Sequence, residues 1–157
     1  MSVINRSFTT RRAMLGAIAT SPLWMQSAWA QPKNLNISHQ FPGGSIAQGD
    51  FRDRLCRMFA AEVEKRTRGG LKFSIHPGSS LMQPNAQFGA LRSGSLDMAL
   101  VPLSYAGGEA PEANIGLMPA LVTSYEQGYG WKNAPVGREL SRILAEQGMV
   151  IVSWIWQ

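Results

Sequence analysis

The residues able to do chemistry in this chain are few, and they stand far apart in the sequence. The only cysteine, Cys56, excludes an intramolecular disulfide and leaves too few thiolates for a cysteine-rich zinc site. It lies beside Leu55 in an amphipathic stretch, where a thiol acts as a small, inert, buried hydrophobe. Two histidines, His39 and His76, are too few for a metal cluster, and spacing identifies no carboxylate or hydroxyl partner for either. The pairs Gly43-Gly44, Gly69-Gly70 and Gly107-Gly108 lack the third glycine, or the Gly-Lys-Ser/Thr, of a nucleotide-binding loop, so they read as turns. There is no Gly-x-Ser-x-Gly elbow. The sequon-like Asn36-Ile37-Ser38 falls inside a strand pattern and is given no role. No nucleophile, base and oxyanion donor can be assembled, so the chain reads as a non-enzyme with no metal and no cofactor.

The elements that would position such residues alternate. Leu35, Ile37, His39 and Phe41 keep strand period, and Leu71, Phe73 and Ile75 repeat it before Pro77-Gly78. Between them, Phe51, Leu55, Phe59 and Val63 recur every four residues with Met58 beside them. This predicts a helix within 45–68 whose apolar stripe faces the core and whose arginines Arg52, Arg54 and Arg57 lie outward. Gly69-Gly70 after Lys65, Arg66 and Arg68 is the expected stop. Asn85 is placed to cap a short helix carrying Phe88 and Leu91, stopped by Gly94. Leu96 and 98–103 read as a third strand of the buried parallel type. An irregular stretch over 107–119 precedes a helix over 135–147 with Leu140, Ile143 and Leu144. A last apolar strand is predicted over 149–156. The order β-α-β-α-β-loop-α-β argues for an α/β sheet layered with helices. Ligands of open α/β sheets bind beyond the carboxyl ends of the strands, which is where His39 stands; it is either a ligand-facing residue or a satisfied core histidine.

At 157 residues, the chain is one ordinary domain with enough length for a sizeable core. Residues 1–30 read as an export signal: Arg6, Arg11 and Arg12 precede a mostly apolar 13–24, and Ala28-Trp29-Ala30 offers a cleavage point before Gln31. Thr9-Thr10-Arg11-Arg12 followed by Ala13-Met14-Leu15 is twin-arginine-like, with an ordinary secretory signal as the alternative. Setting those three arginines aside leaves 12 of the 15 basic residues against 10 acidic ones, so the overall charge of +5 gives no support to a nucleic-acid partner. No stretch of the mature portion, 31–157, is long enough and apolar enough to span a membrane. Gln157 follows an apolar run with no turn or cap. The chain is therefore expected to be truncated, the other reading being a complete protein whose last strand pairs internally.

The mature portion resembles the solute-binding proteins of tripartite ATP-independent periplasmic (TRAP) transporters, the DctP-like family. The resemblance is carried by Leu35-Asn36-Ile37-Ser38-His39, Phe59-Ala60-Ala61-Glu62-Val63-Glu64, Gly69-Gly70-Leu71-Lys72 and His76-Pro77-Gly78-Ser79-Ser80-Leu81. It continues through Gly94-Ser95-Leu96-Asp97-Met98, the most specific element, then Gly116-Leu117-Met118-Pro119 and Glu146-Gln147-Gly148-Met149-Val150. These run in order from Leu35 to the end with matching spacings.

That resemblance implies an α/β first lobe of a two-lobe, type II-like periplasmic-binding fold, truncated before most of the second lobe and ending at the crossover strand. It implies a periplasmic receptor that captures a small organic acid, such as a dicarboxylate, and hands it to membrane permease subunits for proton- or sodium-driven uptake. The family's main carboxylate clamp is an arginine in a Gly-x-Lys-x-Arg-type segment that this sequence does not contain. By match to the family's strand-end loops, the candidate ligand contacts are His39, Gln40 and Phe41 after the first strand and Pro102, Leu103, Ser104 and Tyr105 after the third. Trp156 and Gln157 are added where the family chain enters the cleft, and Ser79, Ser80 and Gln83 form a weaker group. Some relatives carry a polar group at Pro102, so no particular acid is assigned. Trp154 and Trp156 are either core residues or cleft aromatics packing the ligand's carbon skeleton. The competing functional reading is a periplasmic interaction lobe that binds no solute, or the product of a decayed gene.

Overall fold

The first strand, β1 (Lys33–His39), has partners on both sides in a computed structural model that describes residues 31–156. β1 pairs in parallel with β2 (Leu71–His76) along one edge and with β3 (Met98–Leu100) along the other, giving the order β2-β1-β3. The connection from β1 to β2 runs through α1 (Phe51–Arg66). The connection from β2 to β3 steps back over β1 through α2 (Pro84–Ser93). Right-handed crossovers in opposite directions place these helices on opposite faces of the sheet.

The two faces differ in chemistry. Leu35, Ile37, Phe73 and Ile75 share the α1 face, where Phe59 meets Phe73 edge-on at 5.7 Å. The other face is a polar ladder. Asn34 Nδ2 donates to Ser74 Oγ at 2.9 Å, His76 Nε2 lies 3.1 Å from Asn36 Oδ1, and Asp97 Oδ2 accepts from Asn36 N at 2.9 Å. The outer edge of β2 is covered from the end of α1. Thr67 Oγ1 accepts from Leu71 N at 3.1 Å and Glu64 Oε1 from Phe73 N at 3.0 Å, which blunts an edge that could otherwise pair with another chain.

α1 is rotated relative to its apolar pattern. Phe51, Leu55 and Met58 stay 45, 42 and 51 % exposed, while Asp53, Cys56 and Ala60 are buried. The small Cys56 and Ala60 let the helix approach the sheet, and a specific partner for Asp53, described below, removes the penalty of turning a carboxylate inward. Asp50 caps the helix, accepting from Arg52 N at 2.9 Å. α2 begins at Pro84 after Gln83 rather than at an Asn85 cap, and it ends on Gly94 in the left-handed region, φ 74°.

β3 is only three residues long. Pro102, which has no N–H to donate, follows it, and 103–106 turn into a 3-10 helix. The stretch expected to be irregular holds a further 3-10 segment, Pro111–Leu117. A short helix, α3 (Tyr125–Gly130), capped by Ser124, and a 3-10 turn, Trp131–Asn133, follow without a clear sequence signal. α4 (Pro135–Glu146) matches its amphipathic pattern. The strand expected over 149–156 does not form: these residues have no ladder partner. Met149, Ile151 and Trp154 instead pack on a cluster of Phe88, Ala106, Ala110, Ala113, Leu140 and Leu144. An apolar run becomes a strand only where it is laid against a sheet edge, and side-chain packing places this one on the helical cluster instead.

Two glycines set the packing around Trp131. A Cβ on Gly137 would lie 2.1 Å from the Trp131 carbonyl oxygen, which is backbone and cannot swing away; one on Gly128 would lie 2.8 Å from the Trp156 ring, which can turn. Gly137→Ala is therefore expected to cost about 3 kcal/mol and Gly128→Ala about 1 kcal/mol in urea unfolding. Equal losses would show that the Trp131 backbone is not the constraint.

Candidate functional site

Because His39 aligns with Leu100 across the β1–β3 ladder, the carboxyl ends of these two strands lie side by side. Their chains then diverge, β1 into the α1 crossover and β3 into the 3-10 helix 103–106. This is a topological switch point, where open α/β sheets form a crevice. The 39–41 segment and the 102–105 turn follow these two adjacent strand ends. The backbone after β1 is further tied to the chain after β2, with Ser79 N donating to the His39 carbonyl at 2.9 Å and Gly78 N to that of Phe41 at 2.8 Å.

Exposure divides the candidates. Gln40, Pro102, Leu103 and Ser104 are half-buried and Tyr105 is exposed, while His39 and Phe41 are buried. Leu103 leans on the helical cluster, and the Pro102 carbonyl closes the following turn by accepting from Tyr105 N at 3.0 Å. Ser79 is half-buried, and Ser80 and Gln83 lie on the loop into α2. Trp156 belongs to a different cluster: its ring is 5.1 Å from Trp131 and 6.3 Å from Trp154, and it packs on Gly128. Gln157 lies outside the described residues, as does the export-signal reading of 1–30.

His39 does have a carboxylate partner, one that spacing did not reveal. Its Nε2 is 3.1 Å from Asp53 Oδ1, and both side chains are fully buried. Asp53 Oδ2 accepts from Gly44 N at 2.8 Å and from Arg57 Nε at 2.7 Å. Burial raises the Asp53 carboxyl, but the bonds from Arg57 and Gly44 and the Arg57 charge outweigh it and hold the group below the usual carboxylate range. For His39, burial is the largest influence and lowers its pKa below 6.5, against the charge and hydrogen bond of Asp53. Arg57 already balances Asp53, so little net negative charge is left to hold a proton on the ring. The neutral ring then donates from Nε2 to Asp53, and Nδ1 is buried without a hydrogen-bond partner.

Phe41 stacks on the His39 ring at 6.0 Å, and the Arg52 guanidinium sits 3.8 Å over the Phe41 centroid. Arg52 also binds Asp50 through Nη2 at 2.7 Å, and that bond holds the Asp50 carboxyl at about 2. Arg52 and Arg57, expected on an outward face, are thus both engaged at the base of the strand-end loop. Cys56 is buried as expected, its thiol pushed up to about 11 by burial. Among the described residues no group of three or more His, Cys, Asp or Glu could hold a metal ion. Also missed by sequence reading was Gln87 of α2, fully buried with both amide atoms unpartnered.

Residues 45–157 match DctP, the bacterial extracellular solute-binding protein family 7. The chain belongs to this family. A solute-binding protein of Albidiferax ferrireducens is 65 % identical over 143 residues, covering 91 % of this chain and 42 % of that protein. A TRAP periplasmic solute-binding protein of Rhodoferax ferrireducens, solved with bound malonate, is 71 % identical, with a TM-score of 0.76 over 78 % of this chain and 39 % of that one. A Sulfitobacter relative solved with β-D-galacturonate shares the fold at 21 % identity and TM-score 0.68, over 77 % of this chain and 39 % of that one. This family member therefore spans about two-fifths of the length of its relatives, and its parallel α/β sheet is the one they share. Family members are periplasmic proteins that bind substrates for transport, and no helix among the described residues is long and apolar enough to cross a membrane.

The buried imidazole makes stability depend on pH. His39 takes up a proton more readily unfolded, near pH 6.5, than folded, so stability is complete above that value and falls as pH drops through the lower folded pKa. Between pH 7 and 5 the unfolding free energy should decline by up to about 1.4 kcal/mol per pH unit, and His39→Gln should flatten that slope. Identical slopes for the two chains in urea unfolding would exclude His39 as the source.

Proposed function

We propose that residues 31–157 form the first α/β lobe of a TRAP-type periplasmic receptor, and that this lobe contributes one wall of a cleft for a small organic acid. The observation that carries this reading is the parallel pairing of β1 with β3, which sets His39 against Leu100, so that the chain bearing Gln40 and the chain leading to the 102–105 turn leave the sheet side by side at a switch point. It is supported by 71 % identity to a protein solved with malonate. In this reading Gln40, Ser104 and Tyr105 meet the solute directly, while His39 and Phe41 form the floor beneath them. Trp156 and Gln157 lead toward the second wall. Residues 1–30 direct export, the receptor delivers its solute to membrane permease subunits, and the protein catalyses no reaction.

A lobe that supplies one wall holds a carboxylate poorly by itself, because the planar guanidinium that pairs with both oxygens is implied to lie in the other wall. Residues 31–157 alone should show no saturable thermal shift with malonate below about 1 mM, a Kd that corresponds to only about 4 kcal/mol of binding. Transplanted in place of the matching segment of the Rhodoferax protein, the same residues should bind malonate within about tenfold of the parent, a difference of about 1.4 kcal/mol. A folded chimera that binds neither malonate nor another small carboxylate in calorimetry would refute the receptor reading. Sub-millimolar saturation of 31–157 alone would refute the one-wall assignment.

A further inference from the structure

Asp53 lies in the first turn of α1, and its three partners come from three places along the chain. They are His39 at the end of β1, Gly44 in the loop that follows, and Arg57 one turn along the helix. The first two flank residues 40–43. A single buried carboxylate therefore holds both ends of the segment that carries Gln40 and Phe41. The loop beyond is built tightly onto this point. A Cβ on Gly44 would lie 2.5 Å from the Gln48 carbonyl oxygen, and Ser45 N donates to that oxygen at 2.8 Å. Movement of Gly44 therefore carries 45–49 with it.

We propose that Asp53 is the positioning residue of the strand-end loop, fixing 40–49 in the conformation that receives the solute; this rests on the receptor reading above. A buried carboxylate is a poor means of adding stability, since well-packed apolar residues often serve as well. It is a good means of fixing a loop, because the two groups that flank the loop, His39 and Gly44, donate to it at defined distances while Arg57 on the helix supplies the counter-charge. Rigidity set in place before the ligand arrives saves the entropy of ordering the loop at the moment of binding.

The test is native-state hydrogen exchange on the whole chain, comparing wild type with Asp53→Asn and Arg57→Gln. Asparagine keeps the shape of the side chain and loses its charge and one acceptor site. D53N should speed exchange at Gly44–Gly49 by roughly tenfold or more relative to the α1 and β2 amides, the scale of one lost charge-assisted hydrogen bond. R57Q, which removes the counter-ion but leaves the Gly44 bond, should change all three regions by a common factor. A uniform change in D53N, or selective loosening of the loop in R57Q as well, would overturn the proposal. Where D53N does not fold, His39→Gln takes its place: selective acceleration at Gln40, Phe41 and Gly43 supports the clasp, and a uniform change overturns it. In the malonate-binding chimera, D53N should weaken malonate at least tenfold. If the parent chimera does not bind malonate, the receptor reading fails while the exchange data still decide the role of Asp53.

Discussion

β1 hydrogen-bonds along both of its edges, and this double pairing governs the rest of the chain. A central strand cannot shift register without breaking two ladders, so the position of its carboxyl end is fixed against both β2 and β3. The reversal in direction between the two crossovers then forces α1 and α2 to opposite faces and opens the switch point beside His39. The strand-end residues share a place because of this topology, although 39–41 and 102–105 are some sixty residues apart in sequence.

Chemistry at that place is organised from below. The neutral imidazole of His39, the ionised carboxylate of Asp53 and the guanidinium of Arg57 form a line in which the carboxylate is hydrogen-bonded from both sides. Above it, the Arg52–Phe41–His39 stack covers the pair from solvent. The residues left accessible, Gln40, Ser104 and Tyr105, are uncharged. They can offer hydrogen bonds and shape, and the nearest cation, Arg52 over the Phe41 ring, is already paired with Asp50.

Away from the sheet, the chain settles around three tryptophans. Trp131 stands edge-on to both Trp154 and Trp156, and Gly137 and Gly128 supply the close approach. This anchors 149–156 by side-chain packing, without a ladder. Val150 and Val152 face outward at 82 and 63 % exposure, as alternation requires when only one side of an extended segment is buried.

Much of this was legible in the sequence. The strands around Ile37 and Ile75, the caps at Gly69 and Gly94, the helix at Leu140 and the family itself follow from periodicity, turn chemistry and local motifs, all of which act over a few residues. What sequence reading misjudged depends on partners distant in the chain. Phe51, Leu55 and Met58 belong to the apolar stripe yet stay exposed, because α1 is rotated to bring Cys56 and Ala60 beside Phe59 onto the sheet, where Asp53 finds His39. Residues 149–156 have a strand's pattern yet pair with no strand, held by side-chain packing on the helical cluster instead. A period can be counted along one segment, but a hydrogen-bond partner cannot. Residue types and spacing therefore determined β1, β2, α1, α2 and α4, while only the tertiary structure decided which face of α1 is buried, that 149–156 joins no sheet and that Asp53 closes on His39, since all three depend on what lies beside them in space.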